Sequence, residues 1–281
     1  MTQRSLLITG CSSGIGLACA RGLLARGWRV FATARKTEDV AALQAQGLEA
    51  LQLDLDESGS INAAVNAVLQ HTGGTLDALF NNGAYGLPGA VEDLSREALR
   101  AQFETNLFGW LELTNRIIPV MRAQGHGRIV MNSSLLGFIA LPYRGAYTAS
   151  KFALEGLTDT LRMELAGSGI HVSLIEPGPI ESRFRANAHA AFKRWIDAEH
   201  SAHQKQYAAQ ERRLTKEGPA VAFTLPAEAV LDKLIHALTS PRPRARYRVT
   251  VPSHLFAYLK RVLSSRVLDL LLRKAGGGGK R

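Results

Sequence analysis

Tyr147 and Lys151 are the two residues of this chain whose types and spacing point most directly to chemistry. The run Tyr147-Thr148-Ala149-Ser150-Lys151 separates a phenol from an ammonium by four positions. On a helix that spacing sets both on one face, within reach of one ligand. A free phenol, with its pKa near ~10, is a poor base at neutral pH, and a cation beside it favours the phenolate. Alone the spacing is a weak signal, so the segments around it decide its weight.

A second constellation lies near the start. Thr9-Gly10-Cys11-Ser12-Ser13-Gly14-Ile15-Gly16 follows the apolar run SLLI and precedes a segment rich in Leu and Ala. Glycines there let the backbone turn tightly and let a diphosphate approach the N–H groups at a helix start, where the helix dipole favours negative charge. The next apolar run, WRVFATA, ends in Ala34 and Arg35. Sheets that bind NAD usually place an acid there for the ribose 2′-hydroxyl; a missing carboxylate and an available guanidinium favour NADP instead. Asp54, ending the third apolar run, could accept a hydrogen bond from an adenine amine or cap the following helix.

These residues need elements to hold them. Short β-branched runs predict strands over 5–9, 29–33, 50–53, 76–80, 128–131, 171–175 and 247–251, and helical periodicity predicts helices over 16–25, 40–46, 60–70, 96–122, 146–165 and 227–238. The alternation predicts an α/β fold: a doubly wound, Rossmann-type parallel sheet of about seven strands with helices on both faces. Residues 1–252 read as one dinucleotide-binding and catalytic domain, within which 181–225, polar-helical and studded with Phe184, Phe192, Trp195 and Tyr207, reads as a lid. Residues 253–281 read as a basic amphipathic extension.

Taken in order, the Gly loop, Asn81-Asn82-Gly83-Ala84, Asn106, Ser133-Ser134, the Tyr–Lys pair and Pro177-Gly178 resemble the short-chain dehydrogenase/reductase family in its single-domain form. Arg35, the NNGAYG run and the long C-terminal extension are similar to its hydroxysteroid and retinol dehydrogenase branch. The resemblance implies that Gly10, Ser12, Ser13, Gly14, Ile15 and Gly16 line the cofactor, with Arg35, Asp54 and Asn82 toward its adenosine end. It further implies that Pro177, Gly178, Ile180 and Ser182 lie along the nicotinamide. Tyr147 is then the general acid/base, Ser134 the hydroxyl that holds the substrate oxygen, and Lys151 the cation near phenol and ribose; Asn106 holds a water that relays protons to Lys151. Leu136 and Phe184 join Ser134 and Tyr147 around the substrate. Two departures stand out: the family more often reads Asn-Asn-Ala-Gly, and more often has Thr where Ser182 stands. Drawing a phenol from ~10 to neutrality takes about 4 kcal/mol, which an ammonium and a positive nicotinamide in a partly dry cleft can supply.

Apolar residues near the motifs (Leu87, Pro88, Leu135, Leu136, Phe138, Pro142, Tyr143) favour a lipophilic alcohol or carbonyl compound such as a steroid, a retinoid or an aldehyde. The implied activity is NADP(H)-dependent alcohol–carbonyl interconversion. An NADPH-sensing binder without turnover, or an epimerase or dehydratase on the same fold, are the alternatives. The resemblance also implies a homodimer or homotetramer through the helices carrying Asn106 and Tyr147. His189, His200 and His203 lack the Cys or carboxylate set that a metal site needs.

Charge is uneven. Residues 1–240 carry 23 basic and 23 acidic side chains, whereas 241–281 carry 11 basic ones and Asp269 alone. A neutral body with a basic tail is not a nucleic-acid surface. Leu255, Phe256, Leu259, Val262 and Leu263 predict one apolar helical stripe in that tail, opposed by Lys260, Arg261, Ser264 and Ser265. Such a helix either lies on an anionic membrane or docks on the body or on a second subunit. Two cysteines, no long apolar window and no recognisable leader predict a cytoplasmic chain, with membrane contact only through the tail.

Overall fold

The structure, a computed structural model, describes residues 3–218 and 221–276. Its centre is a parallel sheet ordered β3-β2-β1-β4-β5-β6-β7, formed by Ser5–Ile8 (β1), Arg29–Ala34 (β2), Glu49–Gln52 (β3), Ala78–Asn81 (β4), Gly127–Asn132 (β5), Ile170–Glu176 (β6) and Arg246–Arg248 (β7). Every pairing is parallel, so each connection crosses a face. The strand period of two sorts side chains between two cores. Leu6, Ile8 and Phe80 meet Ala20 and Leu23 of α1 (Gly14–Leu24) and Leu43 of α2 (Thr37–Gln44) on one face. Leu7 and Leu79 meet Val65 of α3 (Ser58–Thr72) on the other.

The predicted helix over 96–122 is interrupted. It divides into α4 (Arg96–Phe103), a π-helical turn Glu104–Phe108, and α5 (Gly109–Gln124). The turn carries Asn106, whose amide bonds to Tyr85 and to Ser150 of α6 (Gly145–Glu164); widening the helix lets that side chain reach inward. The insert that follows β6 holds α7 (Phe184–Trp195) and α8 (Gln204–Thr215), and a parallel bridge between Ile180 and Leu225 pins its two ends together. Then α9 (Glu228–Thr239) packs against α1 through Leu231, which fills the space beside Gly22.

The last strand stops earlier than the predicted 247–251. Val251 instead begins α10 (Val251–Val262), with Pro252 in its first turn, where a missing N–H costs nothing. The 252/253 boundary therefore falls inside a helix. The tail is two helices, α10 and α11 (Ser265–Ala275), broken at Leu263–Ser264. The predicted stripe is split accordingly: Phe256 faces the body, while Leu255 and Val262 face out.

Candidate active site

Several of the candidate segments lie at the carboxyl ends of the central strands. The Gly loop follows β1, Asn82 follows β4, Ser134 follows β5, and Pro177-Gly178 follows β6. The strand order reverses beside β1, and the crevice at such a reversal is where this architecture leaves room for a ligand.

Tyr147 and Lys151 both lie on the buried face of α6. The Lys151 Nζ donates to the Asn132 carbonyl at 2.8 Å, rests 4.2 Å from the Trp110 ring centre and 5.8 Å from that of Tyr147. Burial pushes the ammonium down to about 7, opposed by Glu155 one turn along the helix. The phenol is buried as well, which pushes it up to about 12, with the Ser134 hydroxyl pulling it back. The expected acidification draws on a positive nicotinamide as well as the ammonium; in the protein alone, burial is the larger influence on the phenol. The Ser134 Oγ also accepts the Leu136 amide at 3.1 Å, which fixes its rotamer at the start of the 135–137 turn.

Three of the candidate polar residues are held by bonds within the protein. Asn106 gives its amide to the Tyr85 carbonyl (2.9 Å) and the Ser150 hydroxyl (3.2 Å), and its oxygen takes the Tyr85 amide (3.2 Å). Because Ser150 in turn donates to the Tyr147 carbonyl, Asn106 ties its turn to α6 and makes no hydrogen bond to Lys151. Asn82 is likewise a strut: its amide reaches the Thr9 and Gly10 carbonyls and its oxygen takes the Asn132 amide. Asp54 is no helix cap. It closes a local turn by accepting the Asp56 amide at 3.1 Å, and α3 starts only at Ser58.

A dinucleotide fits the Gly loop on the evidence of its packing. Gly10, at φ +71°, brings its backbone so close to Gly83 that a Cβ would stand 2.5 Å from the Gly83 Cα. A methyl on Gly16 would strike the Gly10 carbonyl. The first-turn amides of α1 receive no side-chain cap from Ser13, leaving the orphan donors of a helix start for an anion. Ser12 and Arg35 are exposed beside that start, and Arg35 forms no ion pair among the described residues. The Pro177 carbonyl accepts the Leu135 amide (2.7 Å), Gly178 packs on Thr250, and half-buried Ile180 joins the α1 core. Ser182 sits against Gly14, its Oγ accepting the Phe184 amide at 3.3 Å, so the Gly loop and the lid entrance touch.

The expected cover resolves into two parts. Phe184 meets the Tyr147 ring edge-on at 5.3 Å, with Gly86 closing behind it. Phe192 and Trp195 instead pack with Leu87, Ile196 and Tyr207 in a core of their own. Leu135, Leu136 and Phe138 form a further small core with Ile139, Leu141, Phe256, Leu268 and Leu272. The histidines each pair with a different carboxylate: His189 with Glu211, His200 with Asp197, His203 with Glu92. Cys11 is fully buried and burial pushes its thiol up to about 12, an inert packing residue. Sequence reading missed Trp110, which lies beneath Lys151 and donates to the Gly83 carbonyl at 2.7 Å, and the Asn132 carbonyl. It also missed Glu155, whose four-residue offset from Lys151 was visible.

The model of the family described as short chain dehydrogenase matches residues 4–192. The chain belongs to that family. This short-chain dehydrogenase is 44% identical over 271 residues to the uncharacterized oxidoreductase YbbO of Escherichia coli K12, covering 96% of this chain and 94% of that one. It is 35% identical over 265 residues to human 17-beta-hydroxysteroid dehydrogenase type 1, covering 89% and 78%. The crystal structure of a variant of actinorhodin polyketide ketoreductase with NADPH superposes with a TM-score of 0.72 at 28% identity, covering 88% and 95%. An oxidoreductase with a nicotinamide dinucleotide site is therefore the family function at this crevice.

Proposed function

We propose that this short-chain dehydrogenase interconverts an alcohol and a carbonyl on a lipophilic substrate, with NADP(H) as cofactor. The observation that carries this reading is a buried phenol faced by the Ser134 hydroxyl, with the Lys151 ammonium on the same helix face. When bound, the nicotinamide supplies or accepts the hydride. The Gly10–Gly16 backbone and the orphan amides of α1 would hold its diphosphate, and Pro177, Gly178 and Ile180 would flank the nicotinamide end. Arg35 would pair with a 2′-phosphate, since Ala34 leaves no carboxylate to repel it.

The chain's own part is proton handling and orientation. Ser134 donates to the substrate oxygen, Tyr147 gives or takes the proton there, and Lys151 favours the phenolate form. Burial keeps the phenol protonated at neutral pH in the protein alone, so its proton is in place for a carbonyl oxygen that is reduced, and neighbouring positive charge would ease its release. Phe184 beside the phenol supports a lipophilic substrate, as does the similarity to a hydroxysteroid dehydrogenase. The exposed Phe108, Leu111 and Phe152 on the Asn106 and Tyr147 helices support a homodimer through those helices, which sedimentation equilibrium tests. Two buried free cysteines support a reducing compartment such as the cytoplasm.

The test is a screen of NADPH oxidation over steroids, retinals and aliphatic aldehydes, repeated with NADH and with Arg35→Ala. The expected result is net NADPH consumption with at least one class, and a preference for NADPH that falls about tenfold or more in the variant. Turnover of a steroid or sugar without net change in nicotinamide would favour an epimerase or dehydratase instead.

A further inference from the structure

The tail concentrates exposed apolar surface. Among the described residues, seven of the eighteen exposed large apolar side chains lie in α10 and α11: Val251, Leu255, Tyr258, Val262, Val267, Leu270 and Leu271. Scattered single residues of this kind are ordinary, but a contiguous set marks a contact surface. The first four recur at intervals of four, three and four, which aligns them along one side of α10. In α11, Val267, Leu270 and Leu271 repeat the pattern at three and four.

These faces point away from the body. The opposite faces of both helices dock on the segment after Ser134, through Phe256 of α10 and Leu268 and Leu272 of α11. Since both helices rest on the same segment by their inner sides, both outer sides face outward together. Exposure of 65% at Tyr258 and 60% at Leu270 agrees with that placement.

Charge selects the occupant. Residues 251–276 carry Lys260, Arg261, Arg266, Arg273 and Lys274 against Asp269 alone. Arg261, Arg266, Arg273 and Lys274 are exposed beside the apolar sides, and none forms an ion pair among the described residues. Lys260 lies over the Phe152 ring of α6 and belongs to the docked side. Elsewhere in the basic tail, Arg246 and Arg248 are half-buried and paired with Glu155, Asp159 and Glu176, so the alternating arginines of β7 are already partnered and not part of this surface. A second copy on this face would bring like charges together, which disfavours self-association. An apolar stripe rimmed by cations matches an anionic bilayer surface, where apolar side chains enter the headgroup boundary and Arg and Lys meet lipid phosphates.

We propose that the outer faces of α10 and α11 form a shallow membrane-contact surface that seats the protein on anionic lipid. The helices are each too short to span a bilayer, and no helix of the described residues is long and apolar enough to do so. The contact is peripheral. It would set the bilayer on the far side of the two helices that cover the segment after Ser134. The proposal concerns binding and stands whether or not the substrate reading holds.

The test is co-sedimentation of the full chain with equimolar phosphatidylglycerol–phosphatidylcholine vesicles and with phosphatidylcholine vesicles. One variant combines Leu255→Ser, Tyr258→Ser and Leu270→Ser. A second combines Arg261→Gln, Arg266→Gln and Arg273→Gln, and keeps the question decidable if the first is poorly folded. The wild type is expected to bind the anionic vesicles at least tenfold more than the neutral ones, with binding weakened by salt. Either variant should lose at least tenfold, while circular dichroism and thermal midpoint stay unchanged. Equal, background binding of wild type to both vesicles overturns the proposal. So does undiminished binding by both folded variants, and so does a wild-type oligomer, lost in the apolar variant, that forms without binding vesicles.

Discussion

The seat of the Tyr–Lys pair and the cover above it are held by different kinds of bond. In the seat, each polar side chain has a backbone partner, with neutral Asn132 and Ser150 side chains as further partners: Lys151 on the Asn132 carbonyl, Asn82 on the Thr9 and Gly10 carbonyls, Asn106 on Tyr85, Trp110 on the Gly83 carbonyl. In the cover, side chains end on side chains, several of them titratable. Tyr207 donates to Asp93, His203 pairs with Glu92, and Glu211 receives both His189 and Lys193. Backbone partners cannot change rotamer or charge, so the seat is fixed by the fold. The cover depends on ionic and rotameric states that can be altered while the sheet stays intact, as expected of a region that must admit a substrate.

The sharpest way to break this comparison is at the phenol. Tyr147→Phe removes one oxygen from the seat and leaves its ring against Phe184. Turnover should fall by about 10²–10⁴-fold, the usual range for a lost general acid, while NADPH affinity measured by fluorescence titration stays within twofold to threefold. Retained turnover would remove Tyr147 from the chemistry and leave only the dinucleotide site.

Gly16→Ala attacks the seat without touching a polar group. Its methyl meets the Gly10 carbonyl, backbone that cannot yield, so overpacking of about 1–3 kcal/mol is expected. For a chain of this size that is a fall of roughly 2–4 °C in thermal midpoint per kcal/mol, accompanied by weaker NADPH binding. The corresponding blow to the cover is Tyr207→Phe, which deletes a hydroxyl that donates to Asp93 and accepts the Ala90 amide (2.9 Å). A buried amide and a carboxylate each lose a partner, costing about 1–3 kcal/mol locally. Substrate KM should rise severalfold with NADPH affinity unchanged. If both variants shift the same constant, seat and cover are one unit and the distinction fails.

The sequence was most readable where backbone geometry leaves few choices. Gly10 needs a positive φ and Gly16 a close approach, and few residues besides glycine meet either demand, so the motif announced the loop. The strands read well because burial on both faces demands continuous apolar runs, as in β1 and β4. Spacing failed where two faces of one helix are both apolar: periodicity placed Leu255 and Phe256 in one stripe, and only packing sends Phe256 to Leu135 and leaves Leu255 outside. The π turn at 104–108 was equally hidden, because it accompanies a hydrogen bond from Asn106 to a residue 21 positions away. Asn82 was found, but its bracing was not: Thr9 just beyond β1 accepts its amide and Asn132 of β5 donates to its oxygen, neighbours that exist only in the fold.

Glu155 is where seat and cover differ least, and it offers the finest test. Its carboxylate is the one titratable group of the seat that reaches beyond it, accepting Arg246 at 3.2 Å next to Glu176 and Asp159. Burial raises Glu155 from 4.5 to about 7, and burial lowers Lys151 from 10.5 to about 7. The folded state therefore binds more protons at Glu155 between 4.5 and 7 than the unfolded chain, so this group makes stability fall as pH rises through that window. At Lys151 the unfolded chain binds more protons between 7 and 10.5, so there stability rises with pH. Glu155→Gln abolishes the first slope and, by removing an anion near Lys151, carries the second slope to lower pH. The thermal midpoint of the variant should thus decline less than wild type from pH 4.5 toward 7. If protonated Lys151 supports the reaction, the alkaline limb of kcat/KM should move down by about one pH unit. A change in stability with no movement of that limb would mean that Glu155 only packs the seat against Arg246 and does not act on the ammonium.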